Sequence, residues 1–443
     1  MARKYWIETF GCQMNALDSE KIAGDFQRHG MVPADGLDDA DVVALNTCSV
    51  RDKAVQKAYA RLGELKRRKA ARPGMTVCVL GCMAQLEGGK ILVRAPYVNI
   101  VAGPQQGHVI GDLVERSRRT SAPVLALRSD EEPSPLENGH ISRETAWRAS
   151  VTISEGCNRR CAFCVVPATR GPERHRASAG VVGEVAGLVG KGCVEVLLLG
   201  QTVNSYVDPS DPSVNFAELL RRLAKVEGLR RIRFTSPHPN YFTDELLDVL
   251  ATTPAVCNQV HLPVQSGSTK VLRAMRRGYT REGYLGVVRK IHALPRPVAI
   301  STDLIVGYPG ETEADFDDTL TLLDLAQYDG AFSFKYSPRP HTAAYELSDD
   351  VADEEKGRRL EVLQARQRDI QAQRNAAWVG RRVEVLVEAR ARSRVRLAGR
   401  TTDNKIVNFD GPDDLIGSFA QVEVTGSSPN SLKGILMDGT VGA

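Results

Sequence analysis

The stretch VTISEGCNRRCAFCVVPATRG, residues 151–171, decides how the rest of the chain is read. It opens on an apolar run, Val151–Ser154, that predicts a strand, and then sets Cys157, Cys161 and Cys164 in a CxxxCxxC loop. Three thiolates on one short loop can hold three irons of a cubane 4Fe–4S cluster and leave the fourth iron open to chelate a substrate. A closed metal site is structural, whereas an open position supports chemistry. Zinc would want a fourth close Cys or His at the usual spacing, and His175 stands at the wrong interval to supply it. Ordinary core packing does not account for three cysteines grouped this tightly.

Working outward, Val151–Ser154 heads a series of apolar runs: Glu195–Leu199, Arg231–Thr235, Gln259–Val264, Val298–Val306 and Ala331–Tyr336. Helical segments such as 216–226, 244–250 and 316–325 stand between them. Six β/α units predict an incomplete barrel of the TIM type, with a doubly wound sheet as the alternative. The thiol loop then lies at the carboxyl end of a barrel strand, where such folds keep their active sites. A charged helix is expected over 353–378. From Gly380 the runs VEVLVE, RVRLAGR, KIVNF and FAQVEVTG alternate and are split by turn residues, which predicts a small β-barrel.

Ahead of the barrel, residues 1–116 alternate short apolar runs (5–9, 42–45, 77–80 and 98–102) with helical stretches, as in a Rossmann-like α/β domain. ETFGCQMN puts Cys12 after the first run, ALNTCSVR puts Cys48 after the second, and VLGCMAQ puts Cys82 after the third. Parallel sheets gather ligands outside the carboxyl ends of their strands, so three thiols distant in sequence can converge. Three separate buried thiols are the alternative. Cys78, inside a strand, and Cys193 and Cys257 are expected in the core. Residues 117–147, poor in core residues, are expected to be a linker.

The composition is that of a globular chain, with 42% hydrophobic and 25% charged residues, and 443 residues exceed one ordinary core. No apolar run is long enough for a membrane span, and the N-terminus lacks a signal-peptide core, so a cytoplasmic protein without a membrane partner is expected. Nine cysteines in a reducing compartment favour metal use over a disulfide framework. The net charge is only +4, but Arg51–Arg72 carries nine Lys or Arg against two acids, and Arg381–Lys405 eight against three. Such runs suit phosphate backbones or solvated surfaces equally.

With Phe163 before its last cysteine, the triplet resembles the signature of the radical S-adenosylmethionine superfamily. The resemblance implies that the open iron binds the amino and carboxylate groups of S-adenosylmethionine, and that a reduced cluster cleaves it to a 5′-deoxyadenosyl radical. GCQMN, NTCSVR and GCMAQ are similar to the N-terminal domain of the methylthiotransferase family, whose three cysteines carry a second 4Fe–4S cluster. Similarity runs on through LLLGQTVNSY, HLPVQSGS and STDLIVGYPGETEADF, and the tail resembles TRAM, an RNA-binding β-barrel. QMN after Cys12 and SVR after Cys48 look like the branch that acts on N6-isopentenyladenosine beside the tRNA anticodon. The ribosomal-protein branch typically shows a Pro-Lys-Asn run there.

On that resemblance the chain divides into a methylthiotransferase domain (1–116), a linker (117–147), a radical SAM core (148–377) and a TRAM domain (378–443). The implied reaction adds a methylthio group to C2 of the adenine, using one S-adenosylmethionine at the Cys12, Cys48 and Cys82 cluster and another at the Cys157, Cys161 and Cys164 cluster. The implied partners are the tRNA anticodon stem-loop, an electron donor such as flavodoxin or ferredoxin, and a sulfur carrier. Gln201, Asn204, Gln265, Asp303 and Glu311 are implied as cofactor contacts, although polar strand-end residues also serve simply to shape turns. SPHP (236–239) and RPHTAAYEL (339–347) depart from the family pattern without touching a cysteine in sequence. Arginines at 159, 160, 170, 174 and 176, and at 273, 276, 277 and 281, fit a polyanionic substrate or, for the second group, a solvated helix face. His238 and His261 are expected as barrel-interior residues with satisfied hydrogen bonds. The rival readings are a sister enzyme acting on threonylcarbamoyladenosine or a ribosomal protein, a single-cluster radical enzyme, and a non-catalytic RNA-binding module.

Overall fold

Valine- and leucine-rich runs form strands buried on both faces when helices cover the two sides of a parallel sheet. The N-terminal third is built this way in the computed structural model, which describes residues 2–50, 52–128, 136, 139–391 and 396–442. Strands β1 (Lys4–Thr9), β2 (Val32–Pro33), β3 (Val42–Thr47), β4 (Thr76–Gly81), β5 (Ile100–Ala102) and β6 (Val124–Ala126) run parallel in the order β2-β1-β3-β4-β5-β6. Period-two alternation splits the sheet's side chains between two cores. Val43, Leu45, Val77 and Val79 meet the helix Asp52–Ala71 on one face, and Val42, Ala44, Cys78 and Leu80 meet Gln13–Arg28 and Ile110–Thr120 on the other. The strand order reverses between β1 and β3, and this switch point is where such sheets bind ligands.

The expected linker is only partly one. Residues 117–120 finish the helix Ile110–Thr120 and β6 extends the sheet, while 129–135 and 137–138 lie outside the described residues.

The central region carries six parallel barrel strands: β7 (Arg148–Thr152), then β10 (Glu195–Leu199), β11 (Arg231–Phe234), β12 (Gln259–His261), β13 (Ala299–Val306) and β14 (Gly330–Lys335). Two three-stranded ladders meet through a parallel bridge between Ile232 and Val256, giving an open barrel and not a doubly wound sheet. Between β7 and β10, the two-residue strands β8 (Ser154–Glu155) and β9 (Arg174–His175) pair antiparallel and pinch the base of the thiol loop. The helix Asp353–Ala376 packs along β14 and leads to a closed barrel of β15 (Arg382–Arg390), β16 (Leu397–Arg400), β17 (Ile406–Asp410), β18 (Phe419–Ser427) and β19 (Leu432–Gly442). Among the described residues no helix is long and apolar enough to cross a membrane.

Candidate active site

Each N-terminal cysteine sits where a parallel strand ends: Cys12 beyond β1, Cys48 directly after β3 and Cys82 directly after β4. These strands are neighbours, so their carboxyl ends abut. Two glycines make the approach close. A Cβ on Gly11, whose φ is +128°, would lie 2.8 Å from Cys48 Cβ, and one on Gly81, at φ +93°, would lie 2.4 Å from the Thr47 carbonyl. Asn15 ties the loops together, donating to the Thr47 carbonyl at 3.1 Å while its own carbonyl accepts from Asn46 at 2.8 Å.

The triplet loop faces this trio across a domain junction. One cavity of about 290 Å³ is lined by Cys12, Cys48 and Cys82 on one side and Cys157, Cys161 and Cys164 on the other. The two trios therefore share one chamber. Cys78, Cys193 and Cys257 are buried elsewhere in the core, as expected.

Among the described residues no group of three His, Cys, Asp or Glu is arranged to hold a metal ion. Hydrogen-bond donors surround the thiols, as suits sulfur atoms that carry negative charge when metal-bound. Arg277 is buried and donates to Cys161 Sγ at 3.2 Å, the Arg159 N–H donates to Cys157 Sγ at 3.4 Å, and the Val50 N–H donates to Cys48 Sγ at 3.3 Å. Burial pushes the Cys82 thiol up to about 11 and the Cys164 thiol up to about 12; Arg170 pulls the first back, and the Val166 N–H and then Arg277 pull back the second. Such thiols stay protonated until a metal displaces the proton. The donor set around Cys157, Cys161 and Cys164 fits a thiolate-bound iron–sulfur group with three protein ligands.

Of the five implied cofactor contacts, Gln201, Gln265 and Asp303 line the cavity. Asn204 and Glu311 do not line it. Asn204 clamps the backbone of His238, accepting from its N–H at 2.7 Å and donating to its carbonyl at 2.9 Å. Glu311 accepts from the Gly307 N–H and from Arg359, both at 2.8 Å, and so fixes the turn after β13.

The two departures from the family pattern both lie at the site. Ser236, Pro237 and His238 border the cavity, so the SPHP departure bears on local substrate contacts. His341, Thr342 and Ala343 border a second opening of about 560 Å³ that reaches Cys157, Cys161 and Cys164 from outside, together with Arg159, Arg160 and Arg276. Arg170 and Arg277, expected to face a polyanion, are buried instead. Arg170 is held by Asp18 at 2.5 Å and Glu155 at 3.4 Å, and Arg277 by Cys161 and the Pro263 carbonyl. His261 is satisfied by Ser301 and Asp303, but His238 Nε2 has no partner among the described residues, which corrects the expectation for that ring.

Comparison with known proteins agrees with this architecture. The UPF0004 family model matches residues 4–103, the radical SAM superfamily model 151–323, and the TRAM domain model 377–437. The structure of the radical S-adenosylmethionine methyltransferase TsrM from Kitasatospora setae superposes with TM-score 0.53 over 78% of this chain and 77% of that one, at 16% identity, a likeness of fold alone. Two tRNA-2-methylthio-N(6)-dimethylallyladenosine synthases, from Solibacter usitatus and Koribacter versatilis, are 47% and 45% identical and cover 98% of this chain and 97% and 98% of their own lengths. A third so named, from Clostridium novyi, is 42% identical over 98% of the chain and 96% of its own length. The chain belongs to the tRNA-2-methylthio-N(6)-dimethylallyladenosine synthase family of the radical SAM superfamily.

Proposed function

We propose that this chain attaches a methylthio group to C2 of N6-dimethylallyladenosine beside the anticodon of tRNA. The observation that carries the reading is the single chamber in which six thiols from two domains face one another. When bound, a 4Fe–4S cluster at Cys157, Cys161 and Cys164 with S-adenosylmethionine supplies hydrogen abstraction, and a second cluster at Cys12, Cys48 and Cys82 supplies the sulfur station.

The chain's own residues do the rest. Arg277 and the Arg159 N–H hold two triplet sulfurs by hydrogen bonds, and Gln201, Gln265 and Asp303 offer polar contacts to a small cofactor. The buried Arg170–Asp18 pair fixes the N-terminal helix Gln13–Arg28 against the thiol loop and thereby sets the spacing of the two trios. The outer opening, lined by exposed Arg160, Arg276 and His341, gives an electron donor of the flavodoxin or ferredoxin kind a route to the triplet. The closed barrel and the basic helix Asp52–Ala71 grip RNA phosphates, and the target base enters unstacked, as RNA loops allow. A cytoplasmic location and a sulfur carrier belong to the same reading.

Anaerobic reconstitution tests it. Two cubane clusters give about eight irons per chain, falling to about four when Cys12, Cys48 and Cys82 are replaced by Ala. Nucleoside mass spectrometry of a prenylated anticodon stem-loop should then show the methylthio product for the wild type and none for either triple variant. About four irons in a fully loaded wild type would overturn the two-cluster scheme.

A further inference from the structure

A groove of about 340 Å³ lies between the edge strand β14, the helix Asp353–Ala376 and the turn joining β18 to β19. Phe332, Phe334, Gln367, Arg368, Gln371 and Asn430 line it. Gln367 is only 3% exposed, and its Nε2 donates to the Tyr328 carbonyl at 3.0 Å, which fixes the orientation of the amide. Its Oε1 therefore stands as an acceptor, and it has no partner among the described residues. A buried acceptor left unmade costs stability, so the groove is built for a hydrogen-bond donor that the described residues do not provide.

The rest of the lining says what kind of donor. Phe332 is 55% exposed, unusual for a phenylalanine on a barrel strand. It is the register partner of Asp303 on β13, and paired residues of parallel strands project from the same face. Asp303 lines the thiol chamber and contacts His261, whose ring lies 5.9 Å from that of Phe332, so one sheet face runs from the chamber to the groove. Exposed Arg368 has no partner among the described residues. A flat ring to stack on, an amide oxygen that accepts from an amino group, and a free guanidinium for a phosphate together describe a nucleotide.

We infer that this groove holds an unpaired nucleobase of the RNA substrate, a loop neighbour of the adenosine that enters the thiol chamber. The inference rests on the RNA-modifying reading above. A nucleobase could come from the RNA or from the adenine of S-adenosylmethionine, and the assay separates the two. RNA affinity of the reconstituted enzyme is measured by fluorescence anisotropy with a labelled prenylated anticodon stem-loop, alongside the KM for S-adenosylmethionine.

Phe332→Ala removes an exposed ring and should weaken RNA binding about tenfold, the scale of one lost base stack. Gln371→Ala or Arg368→Ala, both away from the core, serves if Phe332→Ala melts early. An abasic residue at one loop position next to the target should reproduce the loss in the wild type and add nothing in Phe332→Ala. Unchanged RNA affinity in these variants would overturn the inference, as would an equal abasic penalty in wild type and variant. A raised KM for S-adenosylmethionine with unchanged RNA affinity would assign the groove to the cofactor's adenine and overturn it too. Failure of the wild type to make any methylthio nucleoside would instead count against the proposed function, because the affinity measurement needs no turnover.

Discussion

At His238 the sequence suggests a satisfied interior imidazole, and the structure places a cavity-lining ring with one nitrogen unpaired among the described residues. Its Nδ1 accepts from the Asn240 N–H at 3.3 Å. Burial, with Arg277 and Arg159 nearby, pushes its pKa down from 6.5 to about 3. The ring is thus neutral throughout the physiological range and offers a hydrogen bond without charge. The sign for stability follows from linkage: the folded pKa lies below the unfolded one, so the unfolded chain takes up the proton first as pH falls. Between pH 7 and 5 the apo wild type should lose about 2 kcal/mol more stability than His238→Gln. Denaturant titrations that run parallel for the two proteins would refute this. Arg277 acts at the same scale through its bond to Cys161 Sγ. Hydrogen bonds to cluster sulfurs raise the reduction potential, so Arg277→Met should shift the triplet centre to a more negative potential in an EPR-monitored titration.

Between elements, one buried ion pair bridges the junction of the two thiol trios, beside Met14 and Leu17 packed on Leu199. Arg170 ends the short helix Val166–Arg170, Asp18 lies within Gln13–Arg28, and both are buried. Removing one partner strands the other charge, so Arg170→Met should cost about 3 kcal/mol, and Asp18→Asn in the same chain should recover part of that loss. The functional readout is coupling: the yield of methylthio product per 5′-deoxyadenosine formed should fall in Arg170→Met, while a purely structural role would leave that ratio intact. This junction also marks how far sequence reading reaches. The six barrel strands and the cysteine-ended strands of the first domain were legible because apolar runs and thiol spacing are local signals. The two-residue β2 and three-residue β6 are too short to show an alternation, and β19 breaks its apolar residues with Gly434 and Gly439; each takes its ladder from a neighbouring strand. Arg170 and Arg277 looked like surface cations, since nothing local reveals that Asp18 and Cys161 will meet them from far along the chain. Asn204 and Glu311 likewise meet partners far along the chain, the His238 backbone and Arg359, which nothing local reveals.

Across the whole molecule, the C-terminal barrel is welded to the core and is not a tethered module. Buried Arg231 donates to the Arg400 carbonyl at 2.8 Å and buried Arg233 to the Thr401 carbonyl at 2.7 Å, while Lys405 meets Asp329 at 2.8 Å beside Arg374. Deleting the barrel would strand these charges, so a lost-RNA-binding phenotype of the truncation would mix unfolding with lost contacts. RNA binding is better tested on cations the fold does not use. In the basic helix Asp52–Ala71, Arg61 pairs with Glu8 and Glu64, Arg68 with Asp38, and Lys69 with backbone carbonyls and Asn99. Exposed Lys53, Lys57, Lys66 and Arg67 have no such partner among the described residues. Each that meets a phosphate releases counterions, so replacing Lys66 and Arg67 by Ala should flatten the slope of log K against log salt by roughly one to two units and weaken all RNAs alike. Their melting temperature should stay at the wild-type value, since neither side chain holds the fold together. A slope unchanged in the double variant would remove this helix from the RNA-binding surface and leave the barrel as the principal phosphate grip.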